Sequence, residues 1–438
     1  MKVLKFGGTS VGSAARMKDV AQLICDGEQK IVVLSAMSGT TNSLVEIADY
    51  FYKNNSAGAL ERINTLEQKY FDVTDELYST SDSKTEAIQI LKSHFEYLRS
   101  FSKSVFTLFE ERAILAEGEM LSTALFQLYL KEKGENSALL PALEFMRIDK
   151  NSEPDAAFIA ENLAKQLEIQ PDVQIYITQG FICKNFYGEI DNLQRGGSDY
   201  TASLIGAAVK ADEIQIWTDI DGMHNNDPRF VEGTKPVPVL HFEEAAELAY
   251  FGAKILHPTC ILPAKLNNIP VRLLNTMEPK AAGTLISTQS KKGRIEAVAA
   301  KDGITAIKIK SGRMLLAHGF LRKVFEIFES YQTPIDMVTT SEVGVSVSID
   351  NAKRLDEIVN DLKKFGTVTV DKDMVIICVV GDMPYENVGF QAKVVDALKE
   401  IPVRMISYGG SNYNISFLIN ANDKKRALVA LSDALFND

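Results

Sequence analysis

Lys5-Phe6-Gly7-Gly8-Thr9-Ser10-Val11 sets a cation and two glycines directly after the short apolar run Val3-Leu4. Met17, Val20, Ala21, Leu23 and Ile24 follow at helical spacing, so the pattern predicts a strand, a glycine turn and a helix. Such a turn aims backbone N–H groups, an ammonium and the positive end of a helix at one point, which suits it to hold an anion. Two familiar phosphate loops are excluded. Ser13-Ala14 stand where a Walker loop needs Lys-Ser/Thr, and Thr9 occupies the second glycine of a dinucleotide fingerprint. Alone, the turn is equally compatible with a structural connection. Three further clusters bear on that choice: Arg195-Gly196-Gly197-Ser198-Asp199-Tyr200-Thr201, Trp217-Thr218-Asp219-Ile220-Asp221-Gly222 running on to Asn226-Asp227-Pro228-Arg229, and Phe251-Gly252-Ala253-Lys254-Ile255-Leu256-His257-Pro258.

The formal net charge of −11 makes nucleic acid and anionic membranes poor partners. A polyanionic nucleotide then needs local positive potential, and Lys5, Arg195, Arg229 and Lys254 lie in or beside the glycine-rich clusters. Phosphoryl transfer asks a protein chiefly to align two reactants and neutralise the transferred group. A carboxylate acceptor is already ionised at neutral pH, so the lack of a Ser–His or Cys–His couple is consistent with that chemistry. Five scattered histidines show no i, i+4 pair, and four separated cysteines (Cys25, Cys183, Cys260, Cys378) show no Cys-x-x-Cys. Structural zinc and disulfides are not expected, and a reducing cytoplasm fits. No signal peptide or membrane-spanning run is evident in the sequence.

Taken in order, the four clusters resemble the signature set of the aspartate kinases, within the amino-acid-kinase family, and the resemblance runs essentially end to end. It implies an ATP- and Mg²⁺-dependent transfer of phosphate to the side-chain carboxylate of L-aspartate, giving 4-phospho-L-aspartate on the way to lysine, threonine and methionine. By the same resemblance Lys5 would bridge the β- and γ-phosphates, with Gly7 and Gly8 N–H groups on phosphate oxygens. Asp199 would orient Lys5 or help hold the magnesium complex, while Ser198-Asp199 also suit a helix N-cap. Arg195 would fork the substrate α-carboxylate, and Glu119, in Glu117-Gly118-Glu119-Met120-Leu121-Ser122, would take its α-ammonium. Ser35 and Thr41 would offer hydroxyl contacts. Thr218, Asp219, His224, Asp227, Arg229 and Lys254 would hold the nucleotide, although Asp227-Pro228 also reads as a turn. No metal ligands are assigned to the protein itself. The chain departs from the family's usual Thr-Thr-Leu-Gly at Asp191-Asn192-Leu193-Gln194, which stiffens the loop and adds a negative charge near the expected phosphates. Alternatives are a sibling amino-acid kinase and a non-catalytic amino-acid sensor.

Elements that could position these residues alternate along the first part of the chain. Strands are expected at Val3-Phe6, Ile31-Leu34, Val173-Thr178, Ile214-Thr218 and Val271-Leu274, separated by helical stretches that include a long run from Ala57 to Glu132. That is an α/β fold: a mostly parallel sheet sandwiched by helices, with ligands beyond the carboxyl ends of the strands. The turn after Leu34, Ser35-Ala36-Met37-Ser38-Gly39-Thr40-Thr41-Asn42, would share that rim. After Gly293 an internal repeat begins, for Gly319-Phe320-Leu321-Arg322-Lys323-Val324 recurs as Gly389-Phe390-Gln391-Ala392-Lys393-Val394. Each copy fits a βαββαβ unit, and the pair resembles tandem ferredoxin-like ACT domains, which sense small molecules or mediate dimerisation.

The expected organisation is a catalytic domain over 1–292, a first ACT unit over 311–372, and a second built from 295–310 plus 373–438. Met314, Phe320, Leu321, Ile335, Asp336, Ser341 and Glu342 match the lysine-sensitive branch, which implies an L-lysine effector held by the first unit. Leu316 and Ala317 replace polar residues often found in that loop. Assembly as a homodimer or higher oligomer through the ACT units is expected.

Overall fold

A computed structural model describes residues 1–103, 105–193, 196–252, 258–289, 292–312 and 318–436. The chain forms two compact units, Met1–Gly222 with Ile255–Thr288, and Met223–Lys254 with Gln289–Asp438. The expected catalytic stretch 1–292 therefore contributes to both.

The first unit begins with β1 (Lys2–Phe6), α1 (Ala14–Ile24), β2 (Lys30–Leu34) and α2 (Thr40–Tyr52). The long helical run resolves into α3 (Ser56–Leu77), α4 (Ser81–Ser100) and α5 (Leu108–Glu132). Its breaks carry their own chemistry. Thr80 accepts from Ser83 N–H to start α4, and Thr107 with Glu110 forms a capping box that starts α5. Then follow β3 (Ser137–Leu140), α6 (Ala142–Phe145), α7 (Ala156–Ile169), β4 (Ile175–Gln179), β5 (Ile182–Lys184), β6 (Ile190–Asn192), α8 (Gly197–Val209) and β7 (Glu213–Thr218). β8 (Val239–His241) and α9 (Phe242–Tyr250) belong to the second unit, after which α10 (Pro258–Leu266), β9 (Val271–Asn275) and β10 (Thr284–Ser287) complete the first.

Within the first unit the strands run in the order β3-β4-β2-β1-β7-β9-β10. All pairings are parallel except β9 with β10. β2 is buried at every position and reads Ile31-Val32-Val33-Leu34, as a strand covered on both faces must. α1, α3, α4 and α5 flank this sheet around a core that includes Met17, Tyr70, Phe95, Leu121 and Leu125.

The second unit continues with β11 (Ile295–Lys310), α11 (Phe320–Ser330), β12 (Met337–Ser341), β13 (Gly344–Ile349), α12 (Leu355–Leu362), β14 (Thr367–Gly381), α13 (Phe390–Ala397), β15 (Val403–Tyr408), β16 (Asn414–Asn420) and α14 (Lys424–Phe436). Its sheet is antiparallel, in the order β12-β13-β11-β14-β16-β15. β11 and β14 are each shared between two βαββαβ arrangements. Thr305–Lys310 pairs with β13 and, from Ala306, with Asp371–Thr367, whereas Ala297–Lys301 pairs with Val380–Ile376. The expectation gave all of 295–310 to the second ACT unit; the register divides it, because one long strand crosses both halves of a continuous sheet. Two cores sit on that sheet, one around Val324, Phe328 and Ile358, the other around Phe417, Leu428 and Leu431. Among the described residues no helix is long and apolar enough to cross a membrane.

Candidate active site

A cavity of about 500 Å³ opens in the first unit beyond the carboxyl ends of β1 and β2, lined by Lys5, Gly8, Thr41, Glu119 and Asp199 among others. Six chain segments, around Lys5, Ser35, Glu119, Phe181, Gly196 and Asp219, meet there, as parallel-sheet topology allows. Lys5 Nζ lies 2.7 Å from Asp199 Oδ1, with both side chains almost buried. Gly8 approaches the loop after β2 so closely that a Cβ would stand 2.8 Å from Ala36 O, and its own carbonyl accepts from Ser38 N–H at 3.1 Å.

Gly7 behaves differently from the expectation. Its N–H donates to Trp217 O at 3.2 Å, extending the β1–β7 ladder by one residue, so it is not available to a phosphate. The helix start expected to face the anion also moves. α1 begins at Ala14 under a Ser13 cap, and none of its residues lines the cavity. The helix ends that open on the cavity are those of α2 and α8. Each is preceded by a glycine at φ +80°, Gly39 and Gly196, and neither has a side-chain cap. α8 starts at Gly197, several residues before its apolar stretch, which puts Ser198 and Asp199 in its first turn. Two uncapped N-termini converging on one cavity supply N–H donors and positive potential for anions.

Glu119 projects from α5 and is 5 % exposed. Its Oε1 accepts from Ala36 N–H at 3.1 Å, while Oε2 is buried with no hydrogen-bond partner. Burial pushes its carboxyl up to about 8; the Ala36 N–H and the Lys5 charge oppose that shift without overcoming it. Gly118 makes the approach possible, since a Cβ there would meet the Ala36 side chain at 2.8 Å. Its neighbour in the motif, Glu117, is paired with His94 Nδ1 at 2.5 Å and takes no part in the cavity. Ser35 and Thr41 line the wall, and Ser122 Oγ fixes the Ser35 carbonyl at 2.8 Å.

Asp219 reaches the same cavity, with its Oδ1 accepting from Thr218 Oγ1 at 3.1 Å; Thr218 itself is held by Thr276 N–H on its carbonyl. The other expected nucleotide residues are not brought to it within this unit. His224, Asp227 and Arg229 belong to the second unit, where Arg229 clasps Asp227 in a fork at 2.6 and 2.9 Å. Arg195 and Lys254 lie outside the described residues, as does Met314. Asp191 adds no free negative charge: it is buried and ion-paired with Arg112 of α5. One wall residue has no sequence signal. Phe181 holds φ +68° because its N–H is fixed by Thr201 Oγ1 and its ring packs where a Gly197 Cβ would stand.

Of the expected effector residues, Phe320 belongs to the first core of the second unit and Ile335 packs against it, while Leu321, Ser341 and Glu342 are exposed. Asp336 is not a solvated loop charge. Its side chain is 1 % exposed, and Oδ1 receives Lys301 Nζ at 2.7 Å and Tyr250 OH at 2.8 Å.

The sequence model of the amino acid kinase family matches residues 1–275, and an ACT domain model matches 377–435. Aspartokinase 1, chloroplastic, of Arabidopsis thaliana is 35 % identical over 99 % of this chain and 80 % of its own length. The lysine-sensitive aspartokinase 3 of Escherichia coli is 31 % identical over 99 % of both. The chain belongs to the aspartokinases of the amino acid kinase family. A crystal structure of E. coli aspartokinase III in complex with aspartate and ADP superposes on this aspartokinase-family chain with a TM-score of 0.85, covering all of both chains at 31 % identity. The mostly parallel amino-acid-kinase sheet and the antiparallel ACT region are therefore family architecture.

Proposed function

We propose that this chain is an ATP-dependent aspartate kinase that makes 4-phospho-L-aspartate, with catalysis carried by 1–292 and regulation by the ACT units. The observation that carries the reading is Glu119 Oε2, a buried oxygen without a partner in a cavity that also holds the Lys5–Asp199 pair. An amino acid's α-ammonium satisfies that oxygen and restores the charge that burial suppresses. Arg195 takes the α-carboxylate, and Ser35 and Thr41 hydroxyls steer the side-chain carboxylate. Lys5 then neutralises charge on the γ-phosphoryl group, held on line by Asp199, while Gly8 and the uncapped starts of α2 and α8 donate N–H groups to anionic oxygens. Gly7 is dropped from that set.

ADP and aspartate in the E. coli relative support ATP as the donor. Among the described residues no three His, Cys, Asp or Glu side chains cluster as a metal cage. Three carboxylates line the cavity, Glu119, Asp199 and Asp219; with Glu119 taken by the α-ammonium, Asp199 and Asp219 are a donor pair that fits Mg²⁺ carried on nucleotide phosphates. The ion, when bound, lowers the charge of the phosphate oxygens. L-lysine as effector rests on the lysine-sensitive relative and on the matching residues of the first ACT unit. Leu321, Phe325, Val338 and Val343, all more than a third exposed, support homodimerisation through that unit.

The test is a hydroxamate assay with ATP, Mg²⁺ and a panel of amino acids, with and without lysine. Product should form with aspartate alone and fall when lysine is added. Equal turnover of another amino acid would make the chain a sibling kinase, and nucleotide binding without any turnover would leave only the sensor.

A further inference from the structure

Ser38 and Gly39 lead the chain from β2 into α2, and of the first-turn residues Thr41 and Asn42 line the cavity. Gly39 holds φ +80° and gives the helix no side-chain cap, so the turn must be set from elsewhere. α3 sets it. Lys69 Nζ donates to Ser38 O at 2.6 Å, and the next residue, Tyr70, has its hydroxyl 3.1 Å from Thr40 Oγ1, with Tyr70 and Thr40 both fully buried. Two consecutive side chains thus hold the residues on either side of Gly39. The Lys69 ammonium sits against the turn itself, 3.7 Å from where a Gly39 Cβ would stand. Two helical turns earlier on α3, Arg62 is ion-paired with Glu46 at 2.8 Å and donates to Ser43 Oγ, which passes a hydrogen bond on to Gly39 O at 3.1 Å.

Lys5 faces Asp199 and Arg62 faces Glu46, whereas among the described residues no carboxylate is ion-paired with Lys69. Burial, and then the Arg62 charge, hold its pKa below the usual 10.5. A half-buried ammonium without an acid adds its charge to the positive end of α2. The wall it supports is the amino-acid side of the cavity, for Ala36, whose N–H holds Glu119, belongs to the same loop as Thr41. With the α-ammonium on Glu119, the acceptor carboxylate needs donors on that same wall, and the start of α2 supplies them. We infer that Lys69 and Tyr70 are positioning residues for the acceptor carboxylate, holding the turn at Gly39 so that the first-turn N–H groups of α2 and the Thr41 hydroxyl meet it; this rests on the kinase reading of the cavity. Neither residue lines the cavity and neither lies in a glycine cluster, so no motif marks them.

Lys69→Met keeps the stem and removes the ammonium, Lys69→Arg restores a cation, and Tyr70→Phe removes one hydroxyl. Lys69→Met should raise the aspartate KM about fivefold or more, within the ~10²-fold that a misplaced reactant can cost, while the ATP KM stays within about twofold. Lys69→Arg should recover most of that loss, and Tyr70→Phe should move the aspartate KM in the same direction by about twofold or more. An unchanged aspartate KM in Lys69→Met, or an equal rise in both Michaelis constants, overturns the inference. So does a lowered urea midpoint without the split between them. If Lys69→Met does not fold, Tyr70→Phe decides by the same split. Hydrogen exchange separates this from the kinase reading. With no substrate present, the amides of 38–42 should exchange faster in Lys69→Met than in wild type or Lys69→Arg. If the wild type turns over no amino acid, the kinase reading falls; the exchange rates then decide whether Lys69 holds the turn, and unchanged rates overturn the inference whatever the substrate is.

Discussion

Glu119 presents its two carboxylate oxygens in unlike surroundings, one on Ala36 N–H and one on nothing, inside a site whose other nearby charge is already paired with Asp199. With the carboxyl pushed up to about 8, the empty site holds it mostly protonated at pH 7. A bound α-ammonium favours the carboxylate, so aspartate binding should release about 0.9 proton at pH 7, the protonated fraction of a group titrating near 8. Calorimetry in buffers of different ionisation enthalpy measures this directly; wild-type release near zero, or equal release from Glu119→Gln, would refute the assignment. The linked stability has a fixed sign. The folded value lies above the ordinary 4.5, so the contribution is complete below pH 4.5 and is lost as pH rises through about 8. Glu119→Gln should remove that loss. At this scale Lys5 stood out by its own glycine turn, whereas Glu119 and Asp199 were singled out by the family resemblance, Glu119 otherwise reading as a solvated helix charge and Asp199 as a cap; the structure brings all three to one cavity. Phe181 was not legible, since its left-handed backbone follows from Thr201 and Gly197 packing against it across the turn. Nor was the burial of Asp336, which Lys301 and Tyr250 reach from other elements.

Elements of the first unit were legible where burial on both faces leaves a continuous apolar run, as in β2, or where helical spacing repeats, as in α1. Their ends were less so. α8 extends back over Gly197-Ser198-Asp199 because the left-handed Gly196 turns the chain directly into the helix, an event with no apolar signature. β11 and β14 are each long enough to serve both βαββαβ arrangements, because they pair with each other along both halves, 297–301 with 376–380 and 306–310 with 367–371. The short β6 shows how a partner can reverse a local reading. Asp191 looked like a misplaced charge in the family's loop, yet Arg112 reaches it from α5. Removing Arg112 strands a carboxylate that is 6 % exposed. Breaking a fully buried pair costs about 3–5 kcal/mol; the 29 % exposure of Arg112 lowers the expected cost of Arg112→Ala to about 2 kcal/mol. Asp191→Asn keeps the acceptor for Asn192 N–H and lets the arginine return to water, so it should cost less than about 1 kcal/mol. Urea unfolding of the two variants gives the comparison, and equal destabilisation would show that shape rather than charge holds β6 to α5.

For the whole molecule, the family match over 1–275 and the compact units do not divide the chain at the same places. Met223–Lys254 lies within the kinase match but folds with the ACT sheet. Val231 shares a core with Val375, Ile377, Phe417 and Leu428, and Asn226 Nδ2 donates to Leu428 O at 2.9 Å. α9 packs on β11 and β14, with Phe242 and Leu248 buried and Glu247 bonded to Asn414. A chain ending at residue 292 would strip those partners away. Exposing Val231, Phe242 and Leu248 costs about 2 kcal/mol each, a sum comparable with the entire net stability of a domain, about 5–15 kcal/mol. The shortened chain should therefore bind a hydrophobic dye, unfold without a cooperative transition in the 223–254 region by hydrogen exchange, and lose nucleotide affinity through Lys254. A soluble 1–292 chain with wild-type turnover and wild-type ATP KM would show instead that the kinase half needs nothing from the ACT sheet, and that the segment is held there only for regulation.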